Sequence, residues 1–212
     1  MNATVPSHSA RRSDEASSAQ PGARAALALL LLINLFNYLD RYVLAAVVPL
    51  IKKSFFGEHG EGAGAGPVLQ PFLDWCQTSL HFTPKDALLG LLSTAFMVMY
   101  MIGAPIFARL AERHRRWLLI GIGVVLWSLA SGASGLAATF GVLLLTRCLV
   151  GVGEAAYGPV APALISDYYP VKVRGQVLAW FYMAIPVGTA LGYMFGEQIA
   201  ASGLSDWAGS HL

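Results

Sequence analysis

Four charged side chains lie inside otherwise apolar stretches of this 212-residue chain, and their types and spacing could support ion pairing or proton transfer. Asp40 and Arg41 are adjacent, and Arg147 precedes Glu154 by seven residues. Seven residues are two helical turns, so Arg147 and Glu154 share one helix face about 10 Å apart. A charge at the centre of a membrane helix costs roughly 2.5–3.5 kcal/mol. We therefore expect the four groups to lie inside a bundle and to mark a functional site.

Other polar residues follow the same helix faces. The spacing predicts one polar stripe on the first apolar segment, beside Arg41, and another on the fourth, beside Glu154. Both stripes must point away from lipid. The uncharged candidates for the site are Asn34, Asn37, Tyr38 and Tyr157.

Rough depths along the two segments predict how the charges pair. Counting 1.5 Å per residue from the segment ends brings Asp40 and Arg147 to similar depths, so we expect an ion pair between them. Glu154 lies deeper and has no evident partner in the sequence. A buried carboxyl without a partner favours its neutral form, as a proton-coupling site requires. The alternative, in which all four charges only clasp two helices together, stays open.

The elements that must position these groups are membrane helices. The chain is 56% hydrophobic and 12% charged, whereas soluble domains carry about 25% charged residues. About 20 apolar residues cross a bilayer as a helix, and the first such run is too long for a cleaved signal core. The predicted fold class is therefore all-α integral membrane, with five transmembrane helices at 25–50, 87–107, 117–136, 139–165 and 177–195.

The placement of Lys and Arg predicts the orientation. With a cytoplasmic N-terminus, nine of these residues fall in inner segments and three in outer ones, which agrees with the positive-inside rule. We expect a disordered cytoplasmic tail at 1–24, a membrane domain at 25–196 with a long outer loop at 52–85, and an outer tail at 197–212. Cys76 and Cys148 have no metal-type spacing, so no disulfide, metal or cofactor is expected.

Two further patterns concern packing and the inner surface. Gly188, Gly192 and Gly196 recur every four residues, which favours close helix packing. The loop between the second and third segments is strongly basic and contains one acid, which predicts an ion-pair cluster as well as a membrane anchor. Its candidate residues are Glu112, Arg113, Arg115 and Arg116.

This loop, "RLAERHRRW", resembles the signature between the second and third helices of the major facilitator superfamily. Ala108 and Glu112 stand where that signature has Gly and Asp, and its later Gly is missing. "NYLDR", "RCLVGVGEAAYGPVAPALISDYYP" and "RGQVLAWFYMAIPVGTALGY" resemble the Spinster branch, so the resemblance covers residues 34–196. It implies the incomplete N-terminal half of a major facilitator fold, whose inner loop latches the two halves.

The resemblance also implies a function. It points to a secondary transporter in a bacterial inner or other cell membrane, moving lysolipids, sphingolipid-like or other amphiphilic anions. Asp40 and Glu154 would be the proton-coupling acids, and Arg41 and Arg147 their partners or those of an anionic head group. The expected partners are the bilayer, the substrate, protons and a missing C-terminal half, with no nucleic acid.

Three alternatives remain open from the residues. Major facilitators place substrate between two six-helix halves, so five helices alone would not complete a path. The chain could therefore be a truncated membrane fragment without transport activity. It could also be an organic-anion symporter of the same superfamily, since these carry strings similar to "NYLDR". An integral-membrane enzyme is disfavoured, because no predicted span carries a recognisable catalytic set.

Overall fold

The computed structural model describes residues 19–56 and 85–202, with 71, 74–75 and 78–79 between them. The expectations for 1–18, for most of the outer loop and for 203–212 lie outside these residues. The described chain forms six α-helices. They are α1 (Ala23–Phe56), α2 (Lys85–Arg113), α3 (Arg116–Ser134), α4 (Phe140–Tyr157), α5 (Val160–Tyr168) and α6 (Val171–Ala201).

Five candidate membrane spans result, because α4 and α5 together form the fourth, Phe140–Tyr168. Gly158 and Pro159 separate these two helices, and proline has no N–H to continue the helical hydrogen bonds. Length and composition thus confirm the five predicted transmembrane helices. The first and fifth are longer than expected, at 31 residues each. Below, the inner end of the bundle is the end where α1 begins, and the outer end is the opposite one.

Helices α1 and α6 pack closely along the predicted glycine stripe. A methyl group on Gly192 would lie 2.7 Å from Cβ of Tyr42 and 2.8 Å from the carbonyl oxygen of Leu39, and Gly188 meets α1 in the same way. Such contacts leave no room for a side chain, which explains the small residues at this face. In the same manner α4 packs against α2 and α3, and the fourth span is the most buried of the five.

Two apolar clusters bracket the middle of the bundle. The inner one surrounds Phe181 and Ile165, and the outer one surrounds Phe140, which contacts the rings of Phe55 and Phe56. Many large apolar side chains elsewhere face outward, as expected for surfaces in contact with lipid tails. The polar residues lie between the two clusters, where α1, α3 and α4 hold them.

Candidate functional site

An ion pair between Arg41 on α1 and Glu154 on α4 lies at the centre of the site. The Arg41 Nη2 donates to Oε2 of Glu154, whose side chain is 2% exposed, and Asn37 lines the same small cavity as this carboxyl. The expectation that Glu154 has no partner was therefore wrong. A 31-residue span is longer than the bilayer core is thick, so depths counted from its ends do not fix the register between helices.

Two aromatic rings complete the surroundings of Arg41. Its guanidinium carbon lies 4.5 Å from the centre of the Phe96 ring and 5.2 Å from that of Tyr38. At these distances the ring faces attract the cation. The Nε of Arg41 is buried and has no hydrogen-bond partner among the described residues. One edge of the guanidinium is thus held by Glu154, while its Nε–H is unused.

Asp40 points toward α3 instead of α4. It accepts hydrogen bonds from Ser131 Oγ at 2.6 Å and from Trp127 Nε1 at 3.3 Å. The predicted ion pair between Asp40 and Arg147 was wrong, because within the described part of the chain no such contact lies within 4.0 Å. Successive helix residues point about 100° apart, so Asp40 and Arg41 face different neighbours.

Arg147 also relies on α3. Its Nη2 donates to Ser134 Oγ at 2.5 Å, and its side chain is 4% exposed. The hydroxyl of Thr146 lies 2.9 Å from Ser134 Oγ and donates to the carbonyl of Leu143. Like Arg41, Arg147 keeps a buried Nε without a partner among the described residues. A second guanidinium is therefore held in place without a carboxylate in contact.

The contribution of α3 to the site was not predicted from the sequence. Trp127, Ser131 and Ser134 follow a spacing of four and three residues, which places them on one helix face. This polar stripe can be read from the sequence, but because it contains no charged residue it does not by itself indicate a buried site. It supplies the hydrogen bonds that Asp40 and Arg147 would otherwise have to find in each other.

The remaining predicted residues stabilise the inner half of the site. Asn34 is buried and donates to the carbonyl of Phe181 at 3.1 Å, which ties α1 to α6. The Tyr157 hydroxyl donates to the carbonyl of Leu30 at 2.7 Å. The structure thus brings the predicted membrane residues together, with part of the set engaged in helix contacts.

Two cavities lie on either side of the Arg41–Glu154 pair. The outer cavity, of about 280 Å³, contains Asp40, Arg41, Arg147 and Glu154 in a wall that is otherwise mostly apolar. The inner cavity, of about 150 Å³, has a mainly polar wall. Both include Arg41 and Glu154. A separate open groove of about 540 Å³ reaches Asp40 from the side of Trp127 and Ser131.

The basic inner loop is organised differently from the prediction. Arg116 pairs with Asp167 at the end of α5, and it also donates to the carbonyl of Ala163 at 3.0 Å. Glu112, Arg113 and Arg115 are exposed, and Glu112 makes no ion pair with a described residue. The specific contact at this surface therefore joins α3 to α5, and the predicted cluster around Glu112 is not formed.

The chain belongs to the Major Facilitator Superfamily, whose sequence model matches residues 30–210. It is thus a multi-pass membrane protein of a transporter family, not of an enzyme family. It is similar to Protein spinster homolog 1 of Homo sapiens, with 38% identity over 182 residues, covering 84% of this chain and 29% of that protein. The Sphingosine-1-phosphate transporter SPNS2 of Xenopus tropicalis is 33% identical over 193 residues, covering 90% and 32%.

Solved structures show the same relationship. A bacterial homologue of the human lysosomal transporter Spinster, inward-facing and occupied, matches with a TM-score of 0.68 and 29% identity. That match covers 89% of this chain and 35% of the other. The unoccupied form gives a TM-score of 0.63 at 28% identity, covering 92% and 38%. The chain therefore corresponds to part of the N-terminal half of a Spinster-like transporter, and spans about a third of such proteins.

Proposed function

We propose that this chain forms the substrate- and proton-handling part of a secondary active transporter for amphiphilic anions such as lysolipids and sphingolipid-like molecules. The observation that carries the proposal is the outer cavity. It combines an apolar wall with two guanidiniums, one of which, on Arg147, has no carboxylate in contact. Apolar pockets with a few convergent polar groups are typical binding sites.

The amphiphile would enter with its anionic group toward the arginines. Arg147 is held by Ser134 and keeps its Nε–H free for a phosphate or carboxylate oxygen. The acyl chain would lie along Leu44, Val48 and Leu92, which line the same cavity. A substrate carrying an ammonium group as well would find Asp40 in that wall.

Proton coupling follows from the Arg41–Glu154 pair. Protonation of Glu154 would remove the charge that holds Arg41, and would release the guanidinium toward the substrate's head group. A ligand shifts a two-state equilibrium by its differential affinity for the two states. A head group that binds released Arg41 would therefore favour protonated Glu154, which links the two ligands.

Binding to this chain alone is the first test. The purified chain is reconstituted in lipid nanodiscs and titrated with fluorescent lysophosphatidic acid, an anionic lysolipid. Arg147→Gln is expected to weaken binding about tenfold, since a charge-assisted hydrogen bond contributes roughly 1.5–3 kcal/mol. Exposed Arg113→Gln serves as the matched control and should bind as the unaltered chain does. Equal binding by both variants would contradict the proposed site.

Transport is the second test, and it separates the alternatives. In proteoliposomes with an imposed pH gradient, the chain is assayed alone and when continued by the remaining helices of a Spinster homologue. We expect transport only in the longer form, and Glu154→Gln there should abolish its pH dependence. Binding without transport in either form would favour a non-transporting membrane protein. Transport of short organic anions in preference to lysolipids would favour an organic-anion symporter.

A further inference from the structure

The inner cavity differs chemically from the outer one. Helices α1, α2, α4 and α6 form its wall, which is mainly amide and phenol groups around the Arg41–Glu154 pair. Tyr38 and Tyr100 line it, and the Tyr100 hydroxyl lies beside Gly158, which lines the same cavity. A polar cavity of about 150 Å³ has room for several waters, each bonded to two or more polar groups. The chemistry of the wall thus suits water rather than an acyl chain.

Gly158 has a specific role in this wall. Its φ of −50° and ψ of −57° lie in the right-handed helical region, which any residue can adopt. The backbone therefore does not require glycine at this position. A methyl group there would overlap the Tyr100 hydroxyl oxygen and would lie 3.1 Å from Cζ of the same ring. The missing side chain gives the Tyr100 hydroxyl its place at the cavity.

Resting on the proposed function, we propose that the inner cavity is a hydrated site through which Glu154 exchanges its proton, while the outer cavity takes the amphiphile. A hydronium ion in the inner cavity donates its proton to the Glu154 carboxylate, which leaves one water and a neutral carboxyl. Arg41 keeps its own proton and loses its ion pair. Because the pair lines both cavities, this proton transfer acts directly on the guanidinium that faces the substrate.

The groups around Glu154 are consistent with this division. Those on the inner side are phenols and amides, which can hydrogen-bond water at neutral pH without adding a formal charge. The second arginine, Arg147, and the second acid, Asp40, line the outer cavity but not the inner one. The titratable side chains that line a cavity together with Glu154 lie on four helices. They are Asp40, Arg41, Tyr38 and Tyr42 on α1, Tyr100 on α2, Arg147 and Tyr157 on α4, and Tyr182 on α6.

A pH-jump experiment tests the assignment without requiring transport. The purified chain in nanodiscs is moved rapidly to acidic buffer, and infrared spectroscopy follows the appearance of the protonated Glu154 carboxyl. That signal is identified by its loss in Glu154→Gln. Gly158→Ala, which forces the Tyr100 hydroxyl out of its present place at the inner cavity, is expected to slow protonation about tenfold. This is less than the roughly 10²–10⁴-fold that a positioned proton donor or acceptor contributes, because the route is disturbed and not removed.

The matched variant fills the other cavity. Ala45 lines the outer cavity, and Ala45→Leu is expected to leave the protonation rate within about twofold while weakening lysophosphatidic acid binding about tenfold. An unchanged rate in Gly158→Ala would overturn the proposal. An equal slowing in Ala45→Leu would overturn it as well, since the two cavities would then not serve different ligands.

A second pair of variants keeps the test decisive if Gly158→Ala does not fold. Tyr100→Phe removes one hydroxyl from the inner cavity and is expected to slow protonation about threefold or more. Tyr193→Phe removes a hydroxyl from a half-exposed ring on α6 outside both cavities and should change nothing. Equal rates in these two variants would reject the inner route. Loss of lipid binding with the expected rates would count against the proposed function alone.

Discussion

The inner and outer parts of the buried polar site hold their charges in different ways. In the inner part, Arg41 and Glu154 form a direct ion pair between α1 and α4. In the outer part, Asp40 and Arg147 are each bound by a serine of α3, and no ion pair joins them among the described residues. In the inner part the two charged groups therefore neutralise each other. In the outer part an acid and a base are each oriented by an uncharged hydroxyl group.

This difference separates two tasks. A buried ion pair stays closed while both partners are charged, because separating the charges in a low-dielectric interior is costly. When one partner becomes neutral, this cost disappears and the pair can open. A charged group that is held by a serine hydroxyl can still bind a further partner, because the serine occupies only one of its hydrogen-bonding positions. The inner layer is thus suited to respond to a proton, and the outer layer to receive a charged ligand.

The largest expected effect comes from breaking the inner pair. Arg41→Met should lower the free energy of unfolding by about 3–5 kcal/mol, because it leaves the buried Glu154 carboxylate without its ion-pair partner. Thermal unfolding in detergent at neutral pH measures it. The double variant with Glu154→Gln should recover most of the loss, since neither charge is then unpaired.

The control is the free energy of unfolding of Asp40→Asn, of Arg147→Met and of the double variant, from which the coupling of the outer two residues is obtained. Residues in direct contact show interaction energies of roughly 0.5–3 kcal/mol, whereas pairs without contact are nearly additive. We expect a clearly smaller coupling for Asp40 and Arg147 than for Arg41 and Glu154. A larger coupling in the outer pair would mean that the two layers are not organised as described.

A smaller effect is expected from moving α3 away from α4. A methyl group on Gly123 would lie 2.7 Å from both the Cβ of Ala156 and the carbonyl oxygen of Gly153. Gly123→Ala should therefore destabilise the chain by up to about 3 kcal/mol and disturb the outer layer, which depends on α3. Gly121 on the same helix has open space around it, so Gly121→Ala should be neutral or slightly stabilising. Equal stability of the two variants would argue against this close contact.

The smallest effect concerns a single serine. Ser131→Ala removes the shorter of the two hydrogen bonds to Asp40 and should cost about 1.5 kcal/mol, with Trp127 still donating to the carboxyl. Ser128→Ala, an exposed position one turn from Ser131, is the matched control. If the two serine variants unfold alike, Asp40 does not depend on α3 as the structure indicates.

Much of the arrangement was predictable from the amino-acid pattern. The five spans follow from apolar length, and the buried face of Asn34, Asn37 and Arg41 follows from helical spacing. The close contact of Gly188 and Gly192 with α1 also confirms the packing prediction. These features depend on the residues of one helix, or require only that some other helix packs against it.

The pairing of the charges was not predictable in the same way. Formal charge suggested that Asp40 should seek Arg147, but uncharged Ser131 and Ser134 satisfy these groups instead. The choice depends on how α3 and α4 are rotated and shifted against each other. The fourth span, at 29 residues, is longer than the bilayer core is thick, so several registers against α3 are compatible with spanning the membrane.

The sequence by itself determined that this protein crosses the membrane with five helices and buries two charged stripes, because hydrocarbon tolerates neither open backbone groups nor lone charges. Only the tertiary structure decided that Glu154 meets Arg41, and that the pair lies between an apolar and a polar cavity. The physical reason is that the neighbour of each charge depends on the register and rotation of one helix against another, which the residues of a single helix do not determine. A shift of one residue, about 1.5 Å and 100°, would give each charge a different neighbour.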